Sequence, residues 1–400
     1  MVCVLLAACL QAASSTASDS RATGSKPLGP RAEISLLTCA PGKAIWTHYG
    51  HSAIRVNDPD NGRDLCFNYG LFNFNSPNFA GRFISGQTDY LLGACPTALF
   101  IEDYRSERRS IHEQVLNLNP SEKEALWQAL CENAKRENRQ YRYNFFYDNC
   151  ATRARNIIEN NLEGKVSYDS TLLYPTLRAS LKHYTAAHPW ADFGISFLIA
   201  SEADKAATFG ELLYAPGEMQ IAFGTAHITQ GDSLRPLVKS SGDIIFFPGS
   251  FTDSSLQAKA PKNKPFDMVF WLMTSIFACC VFLQAIERKA HKKYTLIDIV
   301  LYALAGLAGC LLCYLAIWSE HPAVHENLLI LWLNPLHLLY AIGLCIPAFR
   351  KSRATVVYPC FAATLCALMM LLSLMLPQNI HPAYWPLIAI YLLRAIPIKK

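Results

Sequence analysis

Two short stretches decide how this sequence folds: Gly-His-Ser-Ala-Ile-Arg-Val at residues 50–56 and Asp-Asn-Cys-Ala-Thr-Arg at residues 148–153. The first predicts a β-strand that His51 enters. The second predicts a helix that begins at Cys150, with Asp148 or Asn149 as its N-cap. A histidine and a cysteine in these contexts are the parts of a base and a thiol nucleophile, in the order His then Cys.

The position of Cys150 favours the reactive form of its side chain. A thiol in the first turn of a helix faces backbone N–H groups that lack intrahelical partners and the positive end of the helix dipole. Both stabilise the thiolate, and we expect Arg153 and Arg155 to add positive charge nearby. His51 is the candidate base. The alternative is that both residues are packed core side chains, but the pair together favours catalysis.

The composition separates a globular part from a membrane part. The chain has 400 residues, of which 52% are hydrophobic, and its overall mean hydropathy is +0.15. Residues 20–265 have an ordinary globular composition, whereas residues 266–398 contain five apolar runs of about the length that crosses a bilayer. The predicted spans are 267–286, 296–317, 327–348, 355–376 and 382–398.

The loops between these runs predict their orientation. Residues 287–293, 350–353 and 399–400 are rich in Lys and Arg, whereas residues 319–322 and 378–381 contain neither. By the positive-inside rule the basic loops and the C-terminus are cytoplasmic, so five spans place residues 20–265 outside. The net charge of +5 is largely this topological signal and requires no nucleic acid as a partner.

The N-terminal region completes the predicted organisation. Residues 1–19 form a signal peptide or N-terminal anchor, with Ser15–Ala17 suited to signal peptidase and Cys9 in a lipobox-like context as the alternative. The remaining predicted segments are a linker at 20–32, a periplasmic domain at 33–248, a second linker at 249–265 and a five-span membrane domain at 266–400.

The predicted fold class is α+β with a small antiparallel sheet, followed by an all-α membrane domain. A clear turn at residues 57–62 joins the strand at 51–56 to a hairpin partner at 65–69. Ser121 is the predicted cap of a helix that runs to about residue 138, and Gly164 is predicted to close the helix that begins at Cys150. The other predicted strands are residues 33–38, 90–92, 111–118, 141–146 and 244–248. The other predicted helices are residues 172–183 and 197–207. The pattern at residues 217–228 is compatible with a helix or a strand.

Five of the 14 cysteines lie in the predicted outer domain. Four of them can pair in an oxidising compartment, which leaves Cys150 as the odd one, and the equal alternative is that some of the four are buried free thiols. No Cys/His cluster with the spacing of metal ligands occurs in this domain.

The motifs resemble those of the Lnb family, bacterial lipoprotein N-acyltransferases with an N-terminal periplasmic domain and a C-terminal membrane domain. The resemblance extends over residues 50–56, 68–74, 143–153, 188–195 and 334–336. The order of His and Cys is also similar to that of circularly permuted NlpC-like and papain-like hydrolases. The resemblance implies a permuted papain-like domain, anchored in the bacterial inner membrane, that works without a cofactor.

The family implies a reaction and its partners. An acyl chain passes from a membrane phospholipid to Cys150 as a thioester, and then to the N-terminal amine of a diacylglyceryl-cysteine lipoprotein.

In NlpC-like folds the third catalytic residue comes from the next strand. Here that implies Asn68, with Asp64 as the alternative. Asn149, Arg55 and Tyr69 are candidates for substrate or oxyanion contacts; the competing roles are a helix cap for Asn149 and a salt bridge for Arg55.

Two other function classes remain open. One is a cell-wall amidase or peptidase of the NlpC-like type, which uses the same Cys and His on peptidoglycan. The other is a non-enzymatic membrane scaffold in which Cys150 forms a disulfide.

Overall fold

The structure is a computed structural model that describes residues 26–44, 47–72, 77–78, 81–82, 85–169, 174–248 and 267–397. The predicted signal segment and the linker at 249–265 lie outside these residues. The chain divides into two compact units. One consists of Met1–Pro175 and Ala207–Lys259, and the other of Thr176–Ala206 and Ala260–Lys400.

The first unit is built on a seven-stranded sheet with the order β10-β5-β1-β2-β3-β4-β6, in which every neighbouring pair is antiparallel. A second sheet has the order β7-β8-β9. The predicted α+β class is confirmed, although the main sheet is larger than expected. The strands are β1 (Glu33–Cys39), β2 (His51–Asp58), β3 (Arg63–Leu71), β4 (Asp89–Pro96), β5 (Ile111–Leu116), β6 (Gln140–Arg142), β7 (Lys165–Ser167), β8 (His227–Gln230), β9 (Ser233–Pro236) and β10 (Val238–Ile245).

Both faces of the main sheet are covered, because its strands alternate apolar side chains between two hydrophobic clusters. On one face Ile34, Ile54 and Phe67 pack with the helices around Trp127 and Ile158. The helices of this unit are α1 (Thr97–Ser106), α2 (Pro120–Ala134), α3 (Cys150–Glu159), α6 (Phe209–Leu212) and α7 (Pro216–Thr225).

The other face of the sheet carries a smaller cluster that contains Cys39, Cys66, Cys95 and Phe100 of α1. Cys131 lies in the cluster on the opposite face, so Cys39 and Cys131 are on different sides of the sheet. Burial raises the pKa of the Cys39 and Cys131 thiols to about 12.

Several predicted helix ends are wrong, for identifiable local reasons. The cap of α2 is Asn119 and not Ser121, because Pro120 takes the first helical position and Asn119 forms a capping box with Glu122. Helix α3 ends at Glu159 with Asn160 as its C-cap, so Gly164 does not close it.

The strand predicted at 141–146 extends only over Gln140–Arg142. The helix predicted at 197–207 is replaced by a helix at Pro189–Leu198 and a 3-10 turn at Ser201–Asp204. The segment at Pro216–Thr225, which could have been helix or strand, is a helix.

The second unit is helical. It contains α4 (Leu177–Thr185), α5 (Pro189–Leu198), α8 (Met268–Lys289), α9 (Thr295–Trp318), α10 (Leu336–Cys345), α11 (Pro347–Arg350), α12 (Ala354–Leu372) and α13 (Tyr384–Arg394), with 3-10 turns at Ser201–Asp204, Pro322–Val324 and Leu328–Leu331.

Among the described residues, three helices are long and apolar enough to cross a membrane, namely α8, α9 and α12. The segments Pro322–Leu331 and Leu336–Cys345, bent by 47°, make a fourth if they form one broken span. Helix α13 has 11 residues, shorter than the roughly 20 that a perpendicular span needs. Apolar helices therefore occupy all five predicted regions, and the number that crosses the membrane stays a prediction.

A buried ionic network joins three of these helices. Arg394 of α13 donates to Glu287 of α8 at 2.5 and 3.1 Å and to Asp298 of α9 at 2.7 Å. Lys293 lies 2.9 Å from the other oxygen of Asp298. The Arg394, Glu287 and Asp298 side chains are each at most 3% exposed, so the charges compensate one another instead of being solvated.

Residues 176–206 belong to the helical unit, although the sequence places them within the domain at 33–248. The backbone N–H of Ala200 donates to the Ala323 carbonyl at 2.7 Å, and the Tyr384 hydroxyl donates to the Phe193 carbonyl at 2.8 Å. Local sequence pattern does not reveal this assignment, because it depends on contacts with residues more than a hundred positions away.

Candidate active site

The first strand of a β-hairpin positions His51. Gly50, directly before it, has φ +76°, and a Cβ atom there would lie 2.7 Å from the Cys39 carbonyl oxygen. Only glycine therefore fits this close turn without strain. His51 then enters β2, which pairs in antiparallel register with β3, the strand that carries Asn68.

The hairpin places Asn68 as the orienting partner of the imidazole. Nε2 of His51 lies 2.5 Å from Oδ1 of Asn68. Because an amide oxygen only accepts, Nε2 carries the proton and donates it to Asn68. The His51 side chain also forms a hydrogen bond with the Cys150 thiol. The structure thus brings together the three residues predicted as catalytic.

The start of α3 holds the thiol, and Asn149 is its cap. Oδ1 of Asn149 accepts from the backbone N–H groups of Ala151 and Thr152 at 2.8 and 3.0 Å. The Thr152 hydroxyl accepts from the Asn149 N–H at 2.8 Å and completes a capping box.

The amide nitrogen of Asn149 donates to the carbonyls of Phe145 and Tyr214, at 2.7 and 2.9 Å. All polar groups of this side chain are therefore occupied, so it fits the role of a cap and not that of an oxyanion donor.

The electrostatics of the pair favour the thiolate–imidazolium form. Burial by itself raises the pKa of Cys150. The positive charge of His51, its hydrogen bond and the backbone N–H groups of Ser52 and Ala151 outweigh it, so the pKa of Cys150 is lowered from 9.0. Burial likewise lowers the pKa of His51, but the Cys150 charge and the bonds to Cys150 and Asn68 raise it above 6.5. Both shifts stabilise the ion pair.

The two nearby arginines contribute less than their sequence position predicts. Arg153 is paired with Asp148 at 2.5 and 2.7 Å, and its guanidinium lies 4.1 Å from the centre of the Tyr141 ring. Arg155 donates to Asn156 and to the Gly210 carbonyl. The largest contributions that lower the pKa of Cys150 come from His51 and from the backbone N–H groups of Ser52 and Ala151.

The Cys150 and His51 side chains line a cavity of about 450 Å³ within the first unit. One wall is apolar and mostly aromatic, and within it the Tyr90 ring stacks on Phe72 at 4.9 Å and on Tyr143 at 4.2 Å. Phe145, Leu71 and Tyr214 continue this wall. Such a surface suits a hydrocarbon chain beside a small number of polar groups.

A second wall of the cavity is polar and was not predicted from the sequence. Asp103, Tyr104 and Glu107 come from α1 and the residue after it, and Arg109 follows. Arg109 is 6% exposed; it donates to the Ala40 carbonyl at 2.8 Å and to Glu107 at 2.9 Å. No catalytic motif includes these residues, and only the fold brings them to the cavity.

The other predicted contact residues lie away from the cavity. Arg55 donates to both carboxylate oxygens of Asp64, at 2.8 and 2.7 Å, and to Glu113 at 3.1 Å. Arg55 therefore has the salt bridge that was the alternative to a substrate contact, and Asp64 is occupied by the same pair. Tyr69 is 1% exposed and packs edge-on against Tyr141 in the core. Neither Arg55 nor Tyr69 lines the cavity.

The described residues contain no group of three or more His, Cys, Asp or Glu side chains arranged to hold a metal ion.

Comparison with known families gives two matches. The profile of the Lnb N-terminal periplasmic domain matches residues 29–184, which include His51, Asn68 and Cys150. The profile of the Lnb transmembrane domain matches residues 261–398. No curated protein and no solved structure matches the chain.

Proposed function

Because this chain belongs to the Lnb family, we propose that it is a membrane-bound lipoprotein N-acyltransferase with a Cys–His thiol mechanism. The proposed reaction moves an acyl chain from a phospholipid to Cys150, and from there to the N-terminal amine of a diacylglyceryl-cysteine lipoprotein. The observation that carries the proposal is the Cys150 thiol, with its lowered pKa, hydrogen-bonded to His51 in a cavity with an aromatic wall.

In the first half-reaction the thiolate of Cys150 attacks an ester carbonyl of the phospholipid. The C–S bond forms, the ester C–O bond breaks, and the imidazolium of His51 gives its proton to the departing alkoxide. The products are a lysophospholipid and an acyl-Cys150 thioester. His51 is then neutral, and Asn68 keeps its ring in place through the 2.5 Å bond to Nε2.

In the second half-reaction the neutral amine of the acceptor attacks the thioester carbonyl. The C–N bond forms and the C–S bond breaks, which returns the thiolate. His51 takes the proton that the attacking nitrogen loses, so the imidazolium–thiolate pair is restored. The two halves use the same three side chains and require no further reactant.

Each half-reaction passes through an oxyanion that needs a donor. The cap of α3 uses the N–H groups of Ala151 and Thr152, and no acceptor among the described residues takes the N–H of Cys150. That N–H lies on the nucleophile's own residue at the positive end of a helix, which suits an oxyanion. The stack of Phe72, Tyr90 and Tyr143 supplies the apolar surface for the acyl chain.

The location of the enzyme follows from the same proposal. Both substrates are lipids of the membrane surface, which accounts for apolar helices in a thiol enzyme. We propose a multi-pass protein of the bacterial inner membrane with its N-terminal domain in the periplasm and its C-terminus in the cytoplasm, in agreement with the basic loops.

The test uses the full-length protein in liposomes whose phospholipid carries a labelled acyl chain, without a lipoprotein acceptor. The protein should become labelled, and neutral hydroxylamine should release the label because a thioester, unlike an ester, reacts with it under mild conditions. Cys150→Ala should remain unlabelled. When a diacylglyceryl lipopeptide is added, the label should move to its N-terminal amine, as mass spectrometry of the peptide can show.

Absence of protein-bound label in a preparation that N-acylates the lipopeptide would overturn the thioester step. Cleavage of peptidoglycan peptides without any acyl transfer would instead favour the amidase or peptidase alternative. Failure of Cys150 to react with thiol reagents in the exported protein would favour the scaffold.

A further inference from the structure

Helix α5, Pro189–Leu198, exposes an apolar surface outside the predicted membrane spans. Trp190 is 50% exposed and Leu198 is 39% exposed. The one charged residue of the helix, Asp192, is directed toward the helical unit, where it lies 3.3 Å from His381 Nε2 and accepts from the Thr185 hydroxyl at 3.2 Å. The exposed surface of α5 is therefore without charge.

Side chains of the helical unit satisfy the C-terminal end of α5. The last carbonyls of a helix lack intrahelical partners and are normally hydrated. Here the amide of Asn327 donates to the carbonyls of the last two helical residues, at 2.8 and 3.3 Å. Arg178 donates to the carbonyls of the next two residues at 2.9 Å each, and Gln378 adds a bond to the first of these at 3.3 Å. This helix end is built for surroundings that are poor in water.

These contacts also place α5 at the predicted outer end of the helical unit. Asn327, Gln378 and His381 all lie at or near the two loops without Lys or Arg, which the charge pattern predicts to be outside. Helix α5 also packs against α8. The first turns of α8 expose Met268 by 47% and Trp271 by 52%. The apolar surface of α5 thus adjoins that of a membrane helix at its predicted outer end.

We propose that α5 is an interfacial helix, which lies in the outer headgroup layer of the bilayer with Trp190 as its anchor. Ten residues make a helix about 15 Å long, half the thickness of the hydrocarbon core, so α5 lies on the membrane and does not cross it. An uncharged apolar face with a tryptophan, next to a membrane helix, suits the interface between headgroups and acyl chains. This inference does not depend on the acyltransferase reaction.

The test measures fluorescence quenching of the full-length protein in liposomes that contain lipids brominated on the acyl chain. Subtracting the emission of Trp190→Phe from that of the unmodified protein isolates Trp190. Trp271→Phe gives a reference tryptophan on a membrane helix, and Trp127→Phe gives one that is fully buried in the core of the first unit. The Trp190 emission should be quenched to within about twofold of the Trp271 emission and several times more than that of Trp127.

Two results would overturn the proposal. Quenching of Trp190 by aqueous iodide with no effect of the brominated lipid would place α5 in water. Protection from both quenchers would mean that protein covers it, either a partner or another part of this chain. A photoreactive diazirine side chain in place of Leu198 gives a second measurement independent of Trp190. It should form lipid adducts, whereas protein adducts alone would overturn the proposal.

Discussion

Replacing Asn68 with alanine tests whether its hydrogen bond orients His51. The bond of 2.5 Å joins Nε2 of His51, in a ring that is cationic in the ion pair, to an amide oxygen. A hydrogen bond to a charged group contributes about 1.5–3 kcal/mol. Since about 1.4 kcal/mol is a tenfold change, Asn68→Ala should lower the equilibrium constant for forming the ion pair roughly tenfold to 150-fold, and kcat/KM should fall by up to the same factor.

The loss should also appear in a measurement that does not depend on acyl transfer. The rate at which iodoacetamide alkylates Cys150, measured at a series of pH values, gives the fraction of the thiol that is ionised. Without Asn68 the pKa of His51 falls, because the bond to Asn68 helps to raise it, and the pKa of Cys150 rises in turn. The alkylation profile should therefore move to higher pH.

Two further variants make the result decisive. Asn68→Asp keeps an acceptor and adds a negative charge, which should stabilise the imidazolium of His51. Its alkylation profile should therefore lie at lower pH than that of Asn68→Ala. Asn117→Ala removes an amide that donates to the Pro236 carbonyl at 3.0 Å, away from the cavity, and it should change neither measurement. If Asn68→Ala matches the unmodified protein in kcat/KM and in its alkylation profile, Asn68 does not orient His51 and the reasoning fails.

Further predictions concern the nucleophile, its cap and the topology. Cys150→Ala and His51→Ala should each abolish N-acylation of a lipopeptide, and the double variant should be no worse than either, because the residues act as one unit. His51→Ala should also raise the pKa of Cys150, since the charge and hydrogen bond that lower it are lost, so alkylation at neutral pH should slow. Asn149→Ala should reduce the free energy of unfolding by about 2–4 kcal/mol, because it removes the cap and leaves two carbonyls unsatisfied. Asn149→Ser keeps the cap and should reduce the free energy of unfolding by about half as much. Pulse proteolysis of the full chain can compare the two variants. Reporter fusions after Arg353 should report cytoplasm and fusions near Pro322 the outer side; the reverse pattern would contradict the predicted orientation.

The sequence was most informative where local pattern and local structure coincide. The turn at 57–62 predicts the hairpin of β2 and β3, and that hairpin sets the distance between His51 and Asn68. Asp148 and Asn149 before Cys150 predict the start of α3 and offer two candidate caps, of which the structure uses Asn149. In both cases the contacts that matter span fewer than twenty residues, so turn and capping chemistry suffice to predict them.

The polar wall of the cavity depends on longer-range contacts. Helix α1, Thr97–Ser106, has no cap hydrogen bond from a side chain and buries only Thr97 and Phe100. It therefore lacks the strong start signal and apolar periodicity from which a helix is predicted. Arg109 reaches the cavity through its bond to the Ala40 carbonyl, 69 residues away. No spacing in the sequence indicates that pairing.

The network around Arg394 has a consequence for how the membrane helices are assembled during synthesis. Glu287 and Asp298 belong to α8 and α9, the first two candidate membrane helices to be synthesised, whereas Arg394 follows them by 107 and 96 residues. Asp298 already has Lys293 as a neighbour, whereas Glu287 has no guanidinium partner until the last helix has been made. We expect the early helices to remain hydrated or chaperoned until then, so that a ribosome stalled before α13 leaves a product that quality-control proteases recognise.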